Sequence, residues 1–286
     1  MSDSNGPTVR RRRLGSELRR LREKARLRLD DVAKELECST SKISRIETGQ
    51  GLAKRMEIEK MLSLYHVTEA GAIETIMDIH RRAAETGWWE QDDFENVFPS
   101  GLGMYVGLEY DARLVQNWEL VYVPGLLQTE AYARAVLGNN RPGRQEEVER
   151  LAEVRTRRQQ RLTATKDPLE LWAVVDESVL LRPIGGSQVM TAQIMHLLDL
   201  AELPNVNIQV CPMAKGMHAG LRGPFTILEF GPSDPRVVYA ESGTGNTFVE
   251  RDAQVRQFVG VYSSLQATAL DTQESAALLR LAAKES

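Results

Sequence analysis

The twenty residues from Leu29 to Thr48, LDDVAKELECSTSKISRIET, leave the chain little choice of local fold. Val32, Ala33 and Leu36 recur at helical spacing in the first half, and Ile43 and Ile46 do so in the second. Ser39 is a good N-cap for the second run, and Gly49 stands where it should stop. Two short helices are expected, at about Asp30–Leu36 and Thr40–Thr48, crossing steeply where Ala33 is small and locked by Val32, Leu36, Cys38, Ile43 and Ile46. That packing turns Thr40, Ser41, Lys42, Ser44 and Arg45 outward. All five donate hydrogen bonds and none is acidic, which suits phosphate oxygens and the major-groove edges of bases.

The flanking segments extend the pair into a small all-α head. Leu14, Leu18, Leu21 and Ala25 mark a first helix, Met56, Ile58, Met61 and Leu62 a fourth over about Lys54–Tyr65, and a fifth begins at Thr68. The head spans 10–86, behind a flexible polar tail, 1–9. Residues 1–65 hold 16 Lys and Arg against 10 Asp and Glu, whereas the rest holds 20 against 30. A basic head on an acidic body points the head, and not the body, at a polyanion. Glu47, acidic beside such a partner, is expected to turn inward and pair with Arg19 or Arg22. The run Arg10, Arg11, Arg12 and Arg13 reads either as an arm along a phosphate backbone or minor groove, or as a solubilising tail.

The stretch LGSELRRLREKARLRLDDVAKELECSTSKISRIETGQ resembles the phage-repressor-like helix-turn-helix regulators of bacteria, the xenobiotic-response-element (XRE) family. The resemblance implies a sequence-specific DNA-binding transcription regulator. Its operator would be contacted at bases by Thr40, Ser41 and Lys42 and at the backbone by Ser39, Ser44 and Arg45. Two positions depart from the family pattern. Leu29 replaces a glutamine that commonly opens the second helix. Glu37 replaces the glycine of the turn, where a left-handed conformation would cost about 1–2 kcal/mol.

Residues 87–286 read as an α+β body with a mixed sheet of about five strands. Helices are expected at 103–118, 128–137, 144–162, 187–201, 252–269 and 272–284. Strand-like runs occur at Leu169–Val175, Val206–Cys211, Phe225–Phe230, Val237–Glu241 and Thr247–Glu250. The helix between the first two makes them parallel, and the last three read as an antiparallel meander. The segments GWWE, VPGLLQTEAYARAVL and HAGLRGPFTILEF resemble a C-terminal domain of unknown function that follows this head in many bacterial regulators. The resemblance implies a possible small acidic partner protein encoded nearby.

Trp88, Trp89, Phe94, Phe98, Tyr105 and Tyr110 crowd a chain only 6% aromatic. They read first as packing at the joint of head and body, and secondly, with His218 in the loop KGMHAGLRGPF, as a ligand or partner site. Ser178, His218 and an acid make a triad only on paper, since no nucleophile-elbow motif supports it. No metal-ligand spacing occurs, the two cysteines form no framework, and Gly243-Thr244-Gly245-Asn246 reads as a hairpin turn. The expectation is therefore a cytoplasmic regulator without cofactor or catalysis, off the membrane. A homodimer is expected, held through Val255, Phe258, Val259, Tyr262, Leu265, Leu278 and Leu279 unless those residues cover the sheet. The competing class is an antitoxin-like interaction module whose body captures a small protein.

Overall fold

A computed structural model describes residues 9–85, 87–90, 98, 101–231, 234–242 and 245–285. Residues 1–8, Phe94, Gly243 and Thr244, the last two from the expected hairpin turn, lie outside the described residues. The chain divides into two compact units, the first of Met1–Glu95 and Gly101–Asp111, the second of Asn96–Ser100 and Ala112–Ser286.

The first unit holds α1 (Val9–Lys24), α2 (Leu29–Glu35), α3 (Thr40–Glu47), α4 (Arg55–Leu64), α5 (Ala70–Ala84) and α6 (Leu102–Asp111). Leu14 and Leu18 of α1, Val32 of α2, Ile43 and Ile46 of α3 and Ile58 and Met61 of α4 share one core, all nearly inaccessible. The expected apolar stripes are the buried ones except at Met56, which is 71% exposed in the first turn of α4. Gly15 lets α1 and α3 touch: a Cβ there would stand 2.4 Å from the Ile46 carbonyl oxygen. Glu37 takes φ +51°, so the turn adopts the left-handed conformation without the glycine that would make it cheap. The arginine run is helical. Arg10 to Arg13 form the first turns of α1, because the apolar period beginning at Leu14 propagates back through residues with good helix propensity.

The second unit holds β1 (Leu114–Glu119), α7 (Glu130–Asn140), α8 (Gln145–Gln159), β2 (Glu170–Asp176), α9 (Ser187–Leu200), β3 (Val206–Cys211), β4 (Phe225–Glu229), β5 (Val237–Ser242), β6 (Gly245–Val249), α10 (Asp252–Thr268) and α11 (Thr272–Glu285). Its mixed sheet has the order β3-β2-β1-β4-β5-β6. β1, β2 and β3 are parallel, joined by α7–α8 and by α9, and β4, β5 and β6 form the antiparallel meander. The added strand is β1. The helix expected over 103–118 stops at Asp111, and Leu114–Glu119 enters the sheet between β2 and β4. Neighbours on both sides and buried residues on both faces (Val115, Trp118) remove the alternation that announces a strand.

The terminal helices cover the sheet. Val255, Tyr262 and Leu265 of α10 pack with Trp118, Val174, Phe225 and Ile227, flanked by Phe258 and Val259, and Leu279 of α11 is buried as well. The apolar residues offered as a dimer face are thus engaged within the chain, and only Leu278 among them lies outside this core at intermediate exposure.

Candidate nucleic-acid interface

The site is built on α3. Ser39 caps it, its hydroxyl accepting the Lys42 backbone N–H at 3.2 Å. Ile43 and Ile46 point into the core, which fixes the rotation of the helix and leaves Ser41 and Arg45 exposed, with Thr40, Lys42 and Ser44 at intermediate exposure. Gly49 ends the helix at φ +76°. A Cβ there would lie 2.8 Å from the backbone nitrogen of Arg12, so the stop also seats α1 against α3.

Glu47 turns inward. Arg22 Nε donates to its Oε1 at 2.7 Å and Nη2 to its Oε2 at 2.8 Å, while Nη1 donates to the Leu27 carbonyl at 2.8 Å. Of the two arginines foreseen, Arg22 takes the carboxylate; Arg19 bonds Glu23 one turn away. The hydrogen bonds to Glu47 raise the Arg22 guanidinium against the opposing effect of burial. The pair removes an acid from the outward face and ties α1 to the end of α3.

Two further acids act on the outward face, and neither stood out in the sequence. The Thr40 hydroxyl donates to Asp30 Oδ1 on α2 at 2.8 Å. The Lys42 ammonium donates to Glu57 Oε1 on α4, and Glu57 Oε2 accepts the Lys54 backbone N–H at 2.8 Å, closing the first turn of α4. These partners are ten and fifteen residues apart, outside any helical spacing, so only the tertiary fold reveals them. Burial alone would raise the Glu57 carboxyl, but Lys42 and the Lys54 amide outweigh it and hold it below the usual carboxylate range. Ser44 offers its carbonyl to the Thr48 hydroxyl at 2.9 Å. On α1, Arg10 binds Asp111 at 2.7 Å and Glu85 at 2.9 Å and lies over the Tyr110 ring, so much of its charge is met within the unit. Arg11 and Arg12 are half-buried, and Arg13 is exposed.

The other residues singled out fall in separate units. Trp88, Trp89 and Tyr105 belong to the first: Trp89 is buried edge-on to Trp88 at 5.8 Å and against Tyr110 at 4.9 Å. The Tyr105 hydroxyl donates to Glu109 at 2.8 Å. Phe98, at intermediate exposure, is assigned to the second unit. His218 belongs to the second, edge-on to Trp118 at 5.3 Å with Nε2 3.8 Å from Asp176 Oδ2. Ser178 does not complete a triad: its hydroxyl donates to the Leu120 carbonyl at 3.3 Å, and its backbone N–H donates to Asp176 Oδ1 at 3.0 Å.

Among the described residues no helix is long and apolar enough to cross a membrane. A family model described as a helix-turn-helix domain matches residues 13–72. Another, described as a domain of unknown function, DUF5753, matches residues 102–281, more than half of the chain. No curated protein matches the chain, and no solved structure does.

Proposed function

The chain belongs to the family of the domain of unknown function DUF5753, and we propose that it is a sequence-specific transcription regulator that binds its operator through α3. The helix-turn-helix domain makes it a DNA-binding regulator. The carrying observation for the finer reading is the outward row of α3: Thr40, Ser41, Lys42 and Arg45 face away from a core that withdraws Glu47 onto Arg22. In this reading Thr40, Ser41 and Lys42 meet base edges. Ser39, Ser44 and Arg45, with Arg11 to Arg13 at the start of α1, hold phosphates and set the register.

The second unit is the effector and assembly part of the proposal. Three or four side chains on one short helix discriminate too little against a genome of competing sites, so two copies reading an inverted repeat are the economical solution. Binding, not catalysis, is proposed for this unit, in line with a Ser178 hydroxyl spent on a backbone carbonyl. Its signal would be a ligand or a small partner protein in the cytoplasm. Selecting bound duplexes from a random DNA library with the full chain tests the core of the proposal. One recovered motif, bound with a steep salt dependence, is expected; equal, salt-sensitive retention of all sequences would sink it.

A further inference from the structure

We infer that Asp30 and Thr40 form one hydrogen-bond-accepting reader that selects a base bearing an exocyclic amino group, adenine or cytosine, at one position of each half-site. The inference rests on the proposed reading of DNA by α3 and deepens it.

A threonine hydroxyl alone discriminates poorly, because it rotates to donate or accept as the base requires. Here it cannot rotate freely. An ionised carboxylate only accepts, so the 2.8 Å contact between Thr40 Oγ1 and Asp30 Oδ1 commits the hydroxyl proton to Asp30. What remains on Thr40 Oγ1 is lone pairs, and the exposed Asp30 carboxylate adds more. Thr40 is the first residue of α3 and Asp30 lies in the first turn of α2, so the acceptor pair sits where the two helices present their N-terminal ends.

In the major groove, guanine shows O6 and N7 and thymine shows O4, all of them acceptors, whereas cytosine shows its N4 amine and adenine its N6 amine. An acceptor-only pair therefore bonds to adenine or cytosine and meets guanine or thymine lone pair against lone pair. The position of the acid argues the same way. An exposed carboxylate on a surface that approaches phosphates weakens sequence-independent binding, so it costs affinity everywhere except where it finds a donor. Asp30 makes no ion pair among the described residues that would take its charge elsewhere.

The test uses the full chain, first as wild type and then as Asp30→Ala and Asp30→Asn. Both variants alter an exposed side chain, and a thermal melt confirms that they fold. Library selection locates the position whose preference changes in the variants. In the wild-type site that base is then replaced by its analogue lacking the amine, purine for adenine or 2-pyrimidinone for cytosine. The expected result is adenine or cytosine at that position, about ten-fold weaker wild-type binding to the amine-less site, and little loss on the same replacement in Asp30→Ala. Asp30→Asn, which adds a donor, should shift the preference toward guanine or thymine. If wild type recovers a motif but the variants recover the same one, or the amine-less site weakens wild type and Asp30→Ala equally, this inference is overturned and the DNA-reading proposal stands. If wild type recovers no motif, both fall.

Discussion

The Glu57 carboxylate holds two partners at once: the Lys42 ammonium of α3 on one oxygen and the Lys54 amide of α4 on the other. A lysine expected to face DNA is thus half-neutralised by an acid of its own domain. Glu57→Gln should release that charge. Affinity for any duplex should rise at low salt, because one negative charge leaves the face that meets DNA, and the salt slope should steepen by up to about one unit. An unchanged slope and affinity would mean that the Glu57 charge does not act on the bound duplex. The pair also fixes a pH dependence. The folded carboxyl lies below its ordinary value of 4.5, so its stabilisation is present above that value and is lost as the pH falls through the folded one. The melting temperatures of wild type and Glu57→Gln should differ by a constant amount above about pH 5 and converge as the pH falls below the ordinary carboxyl value of 4.5.

Lys42 and Arg45 should fail in different ways. Lys42→Ala removes a donor proposed to reach guanine, so it should relax sequence preference and cost about 1–3 kcal/mol on the operator. Arg45→Ala removes a cation for which the described structure shows no side-chain partner; it should weaken all sequences alike and flatten the salt slope by about one unit. Full operator affinity and specificity in both variants would show that α3 is not the reader.

The Arg22–Glu47 pair carries the stability prediction. Both side chains are buried, and removing one partner strands a buried charge. Glu47→Ala should destabilise the first unit by about 3–5 kcal/mol in denaturant titrations, whereas replacing Arg22 and Glu47 together by leucine should cost less than either single change. A loss below 1 kcal/mol for Glu47→Ala would place the pair with ordinary surface contacts.

How much of this was legible depended on distance along the chain. Ser39 capping α3, Ile43 and Ile46 turning inward and Gly49 ending the helix are local events, and the 3.6-residue period exposes them. Glu47 could be placed inward because an acid turned outward would face a polyanion, although the choice of Arg22 over Arg19 needed the fold. Asp30 and Glu57 carry no such mark: each is one more acid at a helix start, where acids are common for reasons of the helix dipole. β1 was hidden by the opposite problem, since Leu102–Asp111 is apolar on nearly every face and runs into a strand buried on both of its own.

Glu119, the last residue of β1, should make the second unit sensitive to alkali. Burial raises its carboxyl to about 8, against the pull of its hydrogen bond with Asn117, and Glu241 pushes the same way as burial. The folded value lies above the ordinary 4.5, so the associated stabilisation is complete below pH 4.5 and is lost as the pH rises through about 8. Glu119→Gln, which keeps the neutral shape, should escape that loss. Melting temperatures of the two proteins should separate between pH 5 and 9, with the glutamine variant increasingly ahead. A difference that stays flat across this range would show that the carboxyl is already ionised when folded.

Assembly gives the last prediction. A two-fold dimer reads two half-sites about one helical turn apart, or a multiple of it, and converts the second contact into an intramolecular one. The first unit includes α6, which packs on α1 and brings Asp111 to Arg10, so the shortest head that keeps its contacts ends at Asp111 and not near Glu85. A chain cut after Asp111 should fold yet bind the operator roughly 10²–10⁴-fold more weakly than the full chain. Its affinity for a single half-site should match that of the full chain. Because Val255, Tyr262, Leu265 and Leu279 are buried within the second unit, substituting them should unfold that unit instead of merely separating two copies. Light scattering on the full chain should give twice the 32.1 kDa chain mass. A full-length monomer that still binds one half-site as tightly as the whole operator would remove the dimer from the proposal.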